Sequence, residues 1–323
     1  MSKVSILMPV KNAMPFLEAC IESIKMQSLG DWELIAVDDH STDGSYDFIL
    51  GQSDPRIISL RSSCNGIIPA LKLAYQNATG SLITRMDGDD LMTPFRLEKM
   101  SDLLHKSGPN RVCLGLVEYF ASGSGLGEGY HNYANWLNSL SRMENNFEER
   151  YKECVIPSPC WMIFRDDFER AGAFNSELYP EDYDLVFRMY GAGIKIITVP
   201  EVLLRWRDHG QRTSRNDEKY LDNRFTDLKV HHLILQENIE NLGLWGAGAR
   251  GKAIAKALIK KEAEFRWYSN NKNKIGHDIY GVQVEDFRFL SSSAVIVAIA
   301  GESQGEVRKF LSEKKKIKAY YFC

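Results

Sequence analysis

The sequence predicts an α/β protein with a mostly parallel sheet, followed by a second, smaller α/β domain. Apolar segments of strand length alternate with amphipathic segments of helical length between residues 4 and 86. Polar residues follow these apolar segments, and the alternation restarts near residue 242. The chain has 323 residues, of which 44% are hydrophobic, so it can form two cores of ordinary size.

The first half of the chain has the clearest alternation. In order, the predicted elements are a strand at 4–8, a helix from Pro15, a strand at 33–37, a short helix at 46–50, a strand at 56–60, a helix at 67–77 and a strand at 81–86. Strands that alternate with helices are joined by crossovers and therefore run parallel. Ligands of such sheets bind beyond the carboxyl ends of the strands, so polar residues at those ends form the candidate site.

The remaining elements of the first domain are less regular. A strand is predicted at 111–120, and the Gly- and Ser-rich segment at 121–129 has the composition of a loop that closes over a ligand. An amphipathic helix at 133–151 and another helix at 220–240 follow. These assignments place a first domain at 1–240, with a helical extension at about 216–240, and a second domain at 241–323.

Charge and cysteine content exclude several classes of protein. The 40 basic and 43 acidic residues produce no general positive field, so nucleic acid is not an expected partner. The six cysteines lack the paired spacing of a metal site and fit reduced thiols, which predicts a cytoplasmic protein. No apolar run approaches the ~18 residues of a transmembrane segment, so any membrane contact is expected to be peripheral, at the inner face.

The acidic run after the strand at 81–86 is the most informative local feature. Asp87 and Asp89 are separated by Gly88 and follow a buried apolar segment. Carboxylates spaced in this way can provide hard oxygen ligands to Mg²⁺ or Mn²⁺, which in turn binds phosphate oxygens. The alternative is a solvated acidic turn, because Asp and Gly are also ordinary turn residues.

Several separate motifs agree on one family. They are Val4-Ser5-Ile6-Leu7-Met8-Pro9-Val10-Lys11-Asn12, then Trp32-Glu33-Leu34-Ile35-Ala36-Val37-Asp38-Asp39, and then Arg85-Met86-Asp87-Gly88-Asp89-Asp90. In this order they resemble the nucleotide half of the GT-A glycosyltransferases of family 2, inverting enzymes that use nucleotide-activated sugars. The resemblance covers residues 1 to about 215 and implies the GT-A fold, with a Rossmann-like, mostly parallel sheet.

The resemblance implies a donor site for a nucleotide sugar, with a UDP-sugar as the expected donor. The main chain at Pro9, Val10 and Lys11 would meet the base, and Asp39 would contact the base or the ribose. Lys11 replaces the Tyr that is common in the family at this position.

The same resemblance implies a metal and diphosphate site. Asp87 and Asp89 would hold Mn²⁺ or Mg²⁺, and Gly88 would lie beside the donor. The segment around His209 resembles the family's Arg-x-His motif, which implies His209 as a further metal ligand. Arg207 in that motif would bind phosphate.

The acceptor half is represented by Tyr179-Pro180-Glu181-Asp182-Tyr183-Asp184-Leu185, which is similar to the family motif that carries the catalytic base. Inversion requires a carboxylate beside the acceptor hydroxyl to accept its proton as the new bond forms. The resemblance implies Asp182 for this role, with Glu181 as the alternative. Outside this context, a Glu-Asp pair before a helix is an ordinary partner of the helix dipole.

The predicted second domain has a glycine motif of its own. Gly246, Gly248 and Gly251 lie between a predicted strand and a predicted helix, in the spacing of a dinucleotide-binding loop. The next strand ends at Tyr268-Ser269-Asn270-Asn271, without the acidic residue that would bind a ribose. We therefore expect a small Rossmann-like domain with a candidate second nucleotide site, whose role is docking or sensing.

The leading hypothesis is a metal-dependent hexosyl- or other glycosyltransferase of the GT-A class. It would move a monosaccharide from a nucleotide sugar to a saccharide or lipid-linked acceptor, in synthesis of a cell-envelope polysaccharide or glycoconjugate. One alternative is an NAD(P)-dependent oxidoreductase that acts through the C-terminal domain. The other is a non-catalytic nucleotide-sugar binder, which the presence of Asp87, Asp89 and Asp182 disfavours.

Overall fold

The structure, a computed structural model, describes residues 3–121, 127–210, 212, 225–301, 303–314 and 316–323. Its contacts divide the chain into an N-terminal unit, Met1–Phe147 with Cys154–Asp217, and a C-terminal unit, Glu148–Glu153 with Glu218–Cys323. This division groups residues 218–240 with the C-terminal unit, whereas the sequence hypothesis assigns them to the first domain. The domain boundary near Asn241 stays a prediction.

The N-terminal unit alternates strands and helices through most of its length. The strands are β1 (Val4–Val10), β2 (Trp32–Asp38), β3 (Ile57–Arg61), β4 (Leu82–Arg85), β5 (Leu91–Met92), β6 (Arg111–Ala121), β7 (Trp161–Phe164) and β8 (Lys195–Asp208). The helices are α1 (Leu17–Lys25), α2 (Ser45–Leu50), α3 (Ile67–Gln76), α4 (Arg96–Ser107), α5 (Glu128–Met143), α6 (Arg165–Arg170) and α7 (Glu181–Gly191).

These strands form one eight-stranded sheet in the order β3-β2-β1-β4-β7-β6-β8-β5. The pairs β1–β2, β1–β4, β2–β3 and β6–β8 are parallel, while β7 is antiparallel to β4 and β6, and β5 is antiparallel to β8. Every residue of β2 and β4 is buried, because helices cover the sheet. The predicted α/β class and mostly parallel sheet are confirmed.

The core of this unit explains why its first helix forms where it does. Helix α1 buries Leu17, Cys20, Ile21 and Ile24, which recur at helical spacing and pack with the apolar residues of the sheet. Burial of each such side chain contributes about 1.5–3 kcal/mol to folding. The pattern of apolar residues in the sequence therefore fixes which face of α1 meets the sheet.

Some predicted elements are shifted in the structure. The helix predicted at 133–151 is α5, which begins at Glu128 and ends at Met143, because Glu144 has a φ of 55° and breaks the helix. Of the predicted closing loop at 121–129, residues 122–126 lie outside the described residues. The helix predicted at 220–240 is described only as α8 (Thr226–Gln236).

The C-terminal unit contains a six-stranded sheet in the order β11-β12-β10-β9-β13-β14. Its strands are β9 (Leu242–Trp245), β10 (Arg266–Ser269), β11 (Asp278–Ile279), β12 (Val282–Asp286), β13 (Ala294–Val297) and β14 (Lys318–Tyr321), and its further helices are α9 (Ala249–Lys260) and α10 (Ser303–Glu313). All neighbouring strands are parallel except β11 and β12. The sequence did not predict β11 or β12.

No helix in the described part of the chain has the length and apolarity that a membrane-crossing segment needs.

Candidate active site

The carboxyl ends of three neighbouring strands bring the predicted site residues to one edge of the N-terminal sheet. Val10 of β1 is paired with Asp38 of β2, and Leu7 of β1 is paired with Arg85 of β4. The segments that follow these strands therefore emerge close together. This register is what the alternation of strands and helices requires.

Asp39 occupies a fixed position at this edge. Its backbone N–H donates to the carbonyl oxygen of Val10 at 2.7 Å, which ties the ends of β1 and β2 together. Its Oδ1 accepts from the backbone N–H of Gly66 at 2.8 Å, and its Oδ2 accepts from Lys11 Nζ at 3.1 Å. Only 5% of the Asp39 side chain is exposed, whereas 55% of Lys11 is. An exposed lysine thus covers one oxygen of a buried carboxylate.

The neighbouring Asp38 has a structural role instead. Its side chain is fully buried, its oxygens accept from the backbone N–H of Ser41 at 3.2 and 3.3 Å, and its Oδ2 forms an ion pair with Arg61 Nε at 3.3 Å. A carboxylate held in this way stabilises the turn that follows β2.

The carboxylates of the acidic loop after β4 contact different partners. Asp87 Oδ1 accepts from Arg85 Nε at 2.8 Å, and Asp89 Oδ2 lies 2.9 Å from His209 Nε2. About a quarter of each aspartate side chain is exposed, at 24% for Asp87 and 26% for Asp89. A Cβ at Gly88 would lie 3.3 Å from the side chains of both Ala13 and Leu17, so the loop passes close to the first helix.

Asp90 is the unexpected member of this loop. Its side chain is 1% exposed, its Oδ1 accepts from the backbone N–H of Arg207 at 2.8 Å, and its Oδ2 has no hydrogen-bond partner. Burial, followed by the charges of Asp89 and Asp87, raises the pKa of Asp90 well above its ordinary value. Buried side-chain oxygens normally have a hydrogen-bond partner, so the unsatisfied Oδ2 of Asp90 is an exception at this edge.

The end of β8 supplies the basic and aromatic part of the site. Arg207 Nε donates to the backbone carbonyl of Asp89 at 2.6 Å, and its guanidinium lies over the rings of Phe16 and Phe120 at 4.9 and 4.5 Å. The ring of His209 packs against Phe16 with a centroid distance of 4.4 Å. The acidic loop, β8 and the segment before α1 are therefore held together.

The residues predicted to bind a metal are brought together only in part. Asp89 and His209 are in direct contact, while Asp87 is paired with Arg85. Burial alone would raise the pKa of Asp89, but the hydrogen bond with His209 and the nearby charge of Arg212 hold it below its ordinary value. Within the described ranges, no three His, Cys, Asp or Glu side chains form a complete metal-binding group. Oxygen and imidazole donors beside the unsatisfied Asp90 Oδ2 nevertheless suit Mn²⁺ or Mg²⁺.

Glu181 and Asp182, the predicted acceptor-side carboxylates, form the first turn of α7. Glu181 Oε1 accepts from Arg85 Nη1 at 2.8 Å, and 7% of its side chain is exposed. Asp182 Oδ1 accepts from the backbone N–H of Tyr183 at 2.8 Å. Burial raises the pKa of Glu181 to about 7 and also raises the pKa of Asp182, in each case against the attraction of Arg85.

A small cavity in the N-terminal unit distinguishes the surroundings of these two acids. Asp182 lines it and Glu181 does not. The other lining residues are mostly apolar: Arg85, Ile156, Ser158, Trp161, Phe174, Leu185, Val186 and Met189. An acid at the edge of an apolar cavity with a raised pKa is a frequent feature of proton-transfer sites.

Arg85 belongs to this site, although the sequence hypothesis gave it no role. It is 5% exposed and contacts both Asp87 and Glu181. The sequence could have suggested a role for Arg85, because a charged residue ends a largely apolar strand directly before the acidic loop. It could not have identified Glu181 as the partner, because the two residues are 96 positions apart.

The glycine motif of the C-terminal unit has the backbone geometry of a tight strand-to-helix turn. Gly246 has a φ of +125°, and a Cβ at Gly251 would lie 1.8 Å from the carbonyl oxygen of Gly246. Gly248 precedes α9 and has open space around it. Only glycine fits at 251, which agrees with the motif. Nucleotide binding at this loop stays a prediction.

Comparison with known proteins agrees with these features. The sheet topology is that of the GT-A class, and the family model for glycosyl transferase family 2 matches residues 5–172, more than half of the chain. The chain therefore belongs to glycosyltransferase family 2.

Two relatives and one solved structure extend this result. AmsE of Erwinia amylovora, an amylovoran biosynthesis glycosyltransferase, is 28% identical over 59% of this chain and 70% of its own. WfaP of Escherichia coli, a UDP-Glc:α-D-GlcNAc-diphosphoundecaprenol β-1,3-glucosyltransferase, is 28% identical over 73% of this chain and 91% of its own. The mannosyltransferase PcManGT of Pyrobaculum calidifontis, solved with GDP-Man and Mn²⁺, shares the fold with a TM-score of 0.53 and 19% identity, over 79% of this chain and 68% of that one.

Proposed function

We propose that this glycosyltransferase moves a monosaccharide from a UDP-sugar to a hydroxyl group of a saccharide or lipid-linked acceptor, with inversion at the sugar C1. The observation that carries the proposal is the link between the two predicted halves of the site. Asp87, in the donor half, and Glu181, in the acceptor half, contact the same arginine side chain. A donor carboxylate and an acceptor carboxylate held by one group fit a single-displacement reaction.

The donor would bind along the edge formed by β1, β2 and β4. The buried carboxylate of Asp39 can accept from the base N–H or from a ribose hydroxyl once Lys11 moves aside. Pro9 and Val10 would border the base, and the loop at Gly88, which passes close to Ala13 and Leu17, would border the diphosphate. Arg207, already held over two aromatic rings, would contact phosphate oxygens.

The diphosphate would bring negative charge to an edge that already holds Asp87 and Asp89, so a cation would be needed in addition to Arg207. Asp87, Asp89 and His209 are the residues that would hold Mn²⁺ or Mg²⁺, and the charges of Asp87 and Asp89 raise the pKa of the buried Asp90 beside them. When bound, such an ion neutralises the charge of the departing nucleoside diphosphate. The relative solved with GDP-Man and Mn²⁺ supports a divalent ion in this fold.

Asp182 is the proposed general base. It lines the cavity, whereas Glu181 is buried in an ion pair with Arg85. As the acceptor oxygen bonds to C1, its proton would pass to Asp182, and the bond from C1 to the diphosphate would break on the opposite face. Burial raises the pKa of Asp182, which makes it a stronger base than an ordinary aspartate.

The acceptor class is proposed from the relatives. WfaP transfers glucose to a diphosphoundecaprenol-linked GlcNAc, and AmsE functions in amylovoran biosynthesis. By analogy, a lipid diphosphate-linked saccharide is the proposed acceptor, in synthesis of a cell-envelope polysaccharide. Such acceptors lie in the membrane, so we also propose that the enzyme works at its cytoplasmic face through peripheral contact.

A thermal-shift panel tests the donor part of this proposal. UDP, UDP-glucose, UDP-GlcNAc, GDP and GDP-mannose would each be added with and without Mn²⁺. A ligand that binds only the native state raises its melting temperature, so UDP and one UDP-sugar should raise it in the presence of Mn²⁺. If none of these nucleotides shifts the transition, the proposal is wrong.

A further inference from the structure

Arg85 connects two carboxylates that belong to different parts of the site. Its Nε donates to Asp87 Oδ1 and its Nη1 donates to Glu181 Oε1, each at 2.8 Å. These two nitrogens lie on different edges of the planar guanidinium. The side chain therefore spans two acidic groups and does not clamp a single one.

Burial of the Arg85 guanidinium costs free energy unless its charge is paired with the two carboxylates. Its side chain is 6% exposed at the end of β4, where its neighbours Leu82 and Ile83 are fully buried apolar residues. Removing a guanidinium from water is unfavourable, and paired carboxylates offset the loss only when the geometry is good. Arg96 completes the arrangement, because its Nη2 donates to the backbone carbonyl of Arg85 at 3.1 Å and fixes the strand end.

The link also separates the roles of the two acids at the start of α7. Glu181 is as buried as the arginine it contacts, with 7% of its side chain exposed. Asp182, the next residue, lines the cavity together with Arg85. Holding Glu181 thus fixes the first turn of the helix that carries Asp182.

We propose that Arg85 is a positioning residue for glycosyl transfer. Through Asp87 it orients the carboxylate that faces the donor diphosphate, and through Glu181 it sets the place of Asp182 relative to that donor. Glu181 is then an anchor and not the base. This inference rests on the function proposed above and adds a residue and a division of labour to it.

Variants at Glu181 and Arg85 separate the two links. Two quantities are measured for each variant. The rate of UDP release gives kcat, with the UDP-sugar selected by the thermal-shift panel, Mn²⁺ and a GlcNAc-diphospholipid acceptor. Calorimetric titration gives the Kd of UDP. Glu181→Ala cuts only the acceptor link, so kcat should fall about tenfold or more with the UDP Kd unchanged. Glu181→Gln still offers an oxygen to Arg85 and should keep kcat within about threefold of wild type. Arg85→Met cuts both links, so it should lower kcat and also weaken UDP binding about fivefold or more.

A matched control distinguishes this role from simple stabilisation. Arg150 and Glu237 form an equally buried pair in the C-terminal unit, 2.7 Å apart with each side chain 8% exposed. Arg150→Met should lower the melting temperature without changing kcat or the UDP Kd. If Arg85→Met does not fold, the comparison of Glu181→Ala with Glu181→Gln still decides the question.

The outcomes distinguish this inference from the proposed function. A wild-type protein that neither binds UDP nor releases it from any UDP-sugar refutes the function and the inference with it. An active wild type whose Glu181→Ala variant keeps full kcat refutes the inference alone. The same holds if Glu181→Gln is as inactive as Asp182→Asn, because Glu181 would then act as the base.

Discussion

His209 Nε2 lies 2.9 Å from Asp89 Oδ2, although the two residues are 120 positions apart in the chain. The contact joins the end of β8 to the acidic loop after β4, and the ring of His209 is packed against Phe16. An imidazole and a carboxylate held side by side are suited to share one divalent ion. The proposed metal site depends on this pair.

Replacing His209 tests the pair directly. His209→Ala should weaken binding of UDP in the presence of Mn²⁺ about tenfold or more, because a ligand and its packing against Phe16 are both lost. Calorimetric titration of UDP with Mn²⁺ measures the effect. His105→Ala is the control, since that histidine is bound to Ser101 within its own helix and should leave UDP affinity unchanged. Equal affinity of the His209 variant and wild type would remove His209 from the site.

Replacing Asp182 tests the proposed base. Asp182→Asn keeps the size of the side chain but removes its capacity to accept a proton, so kcat should fall about a thousandfold. UDP affinity should stay close to that of wild type, because the carboxylate is proposed to face the acceptor and not the donor. Rates of UDP release and calorimetric titration measure the two quantities. A variant with undiminished turnover would show that another group accepts the proton.

The pH dependence of stability tests the environment of Glu181. Its pKa is raised from 4.5 to about 7 by burial, so between these values the native state holds a proton that the unfolded state releases. The stabilisation is complete below about pH 4.5 and is lost as the pH rises through about 7. Glu181→Gln does not titrate, so its melting temperature should fall less than that of wild type between pH 5 and pH 8.

An exposed glutamate provides the control for that experiment. Glu177 pairs with Lys72 and has 74% of its side chain exposed. Glu177→Gln should follow the wild-type pH dependence throughout. Identical pH dependence of wild type and Glu181→Gln would contradict the raised pKa.

The two glycines around the start of α9 test the turn in the C-terminal unit. A methyl group at Gly251 would meet the carbonyl oxygen of Gly246, whereas one at Gly248 would meet nothing within 4 Å. Gly251→Ala should destabilise this unit by about 1–3 kcal/mol or more, and Gly248→Ala should have little effect. Thermal unfolding of the two variants measures the difference. Similar melting temperatures would show that the turn is not as tight as described.

The strands and the edge that carries the donor residues could be predicted because they depend on local patterns. An apolar run of strand length and the polar residues that follow it are adjacent in the sequence. Asp38-Asp39 and Asp87 to Asp90 are the polar residues of two such cases. Parallel pairing then brings those ends together without further information. The end of α5 at Met143 was not predictable in this way. The left-handed backbone conformation that follows it occurs at a glutamate, Glu144, and not at a glycine.

The partners of individual charges could not be predicted, because they depend on tertiary contacts. Arg85 stands beside Asp87 in sequence, but Glu181 reaches it only after α7 packs against the sheet. Burial likewise acts on both Asp89 and Asp90, but the tertiary contact with His209 and the nearby charge of Arg212 lower the pKa of Asp89, whereas the pKa of Asp90 is raised. Sequence spacing identifies which carboxylates share an edge, and only the packed structure assigns them different roles.

Titration of UDP into the protein with Mn²⁺ tests the central claim most directly, with wild type compared to Asp89→Asn and Asp39→Ala. The donor site proposed at the edge of β1, β2 and β4 predicts saturable binding to wild type that weakens about tenfold or more in each variant. Binding that is equally tight in all three proteins would contradict the account, because the nucleotide would then occupy another part of the molecule.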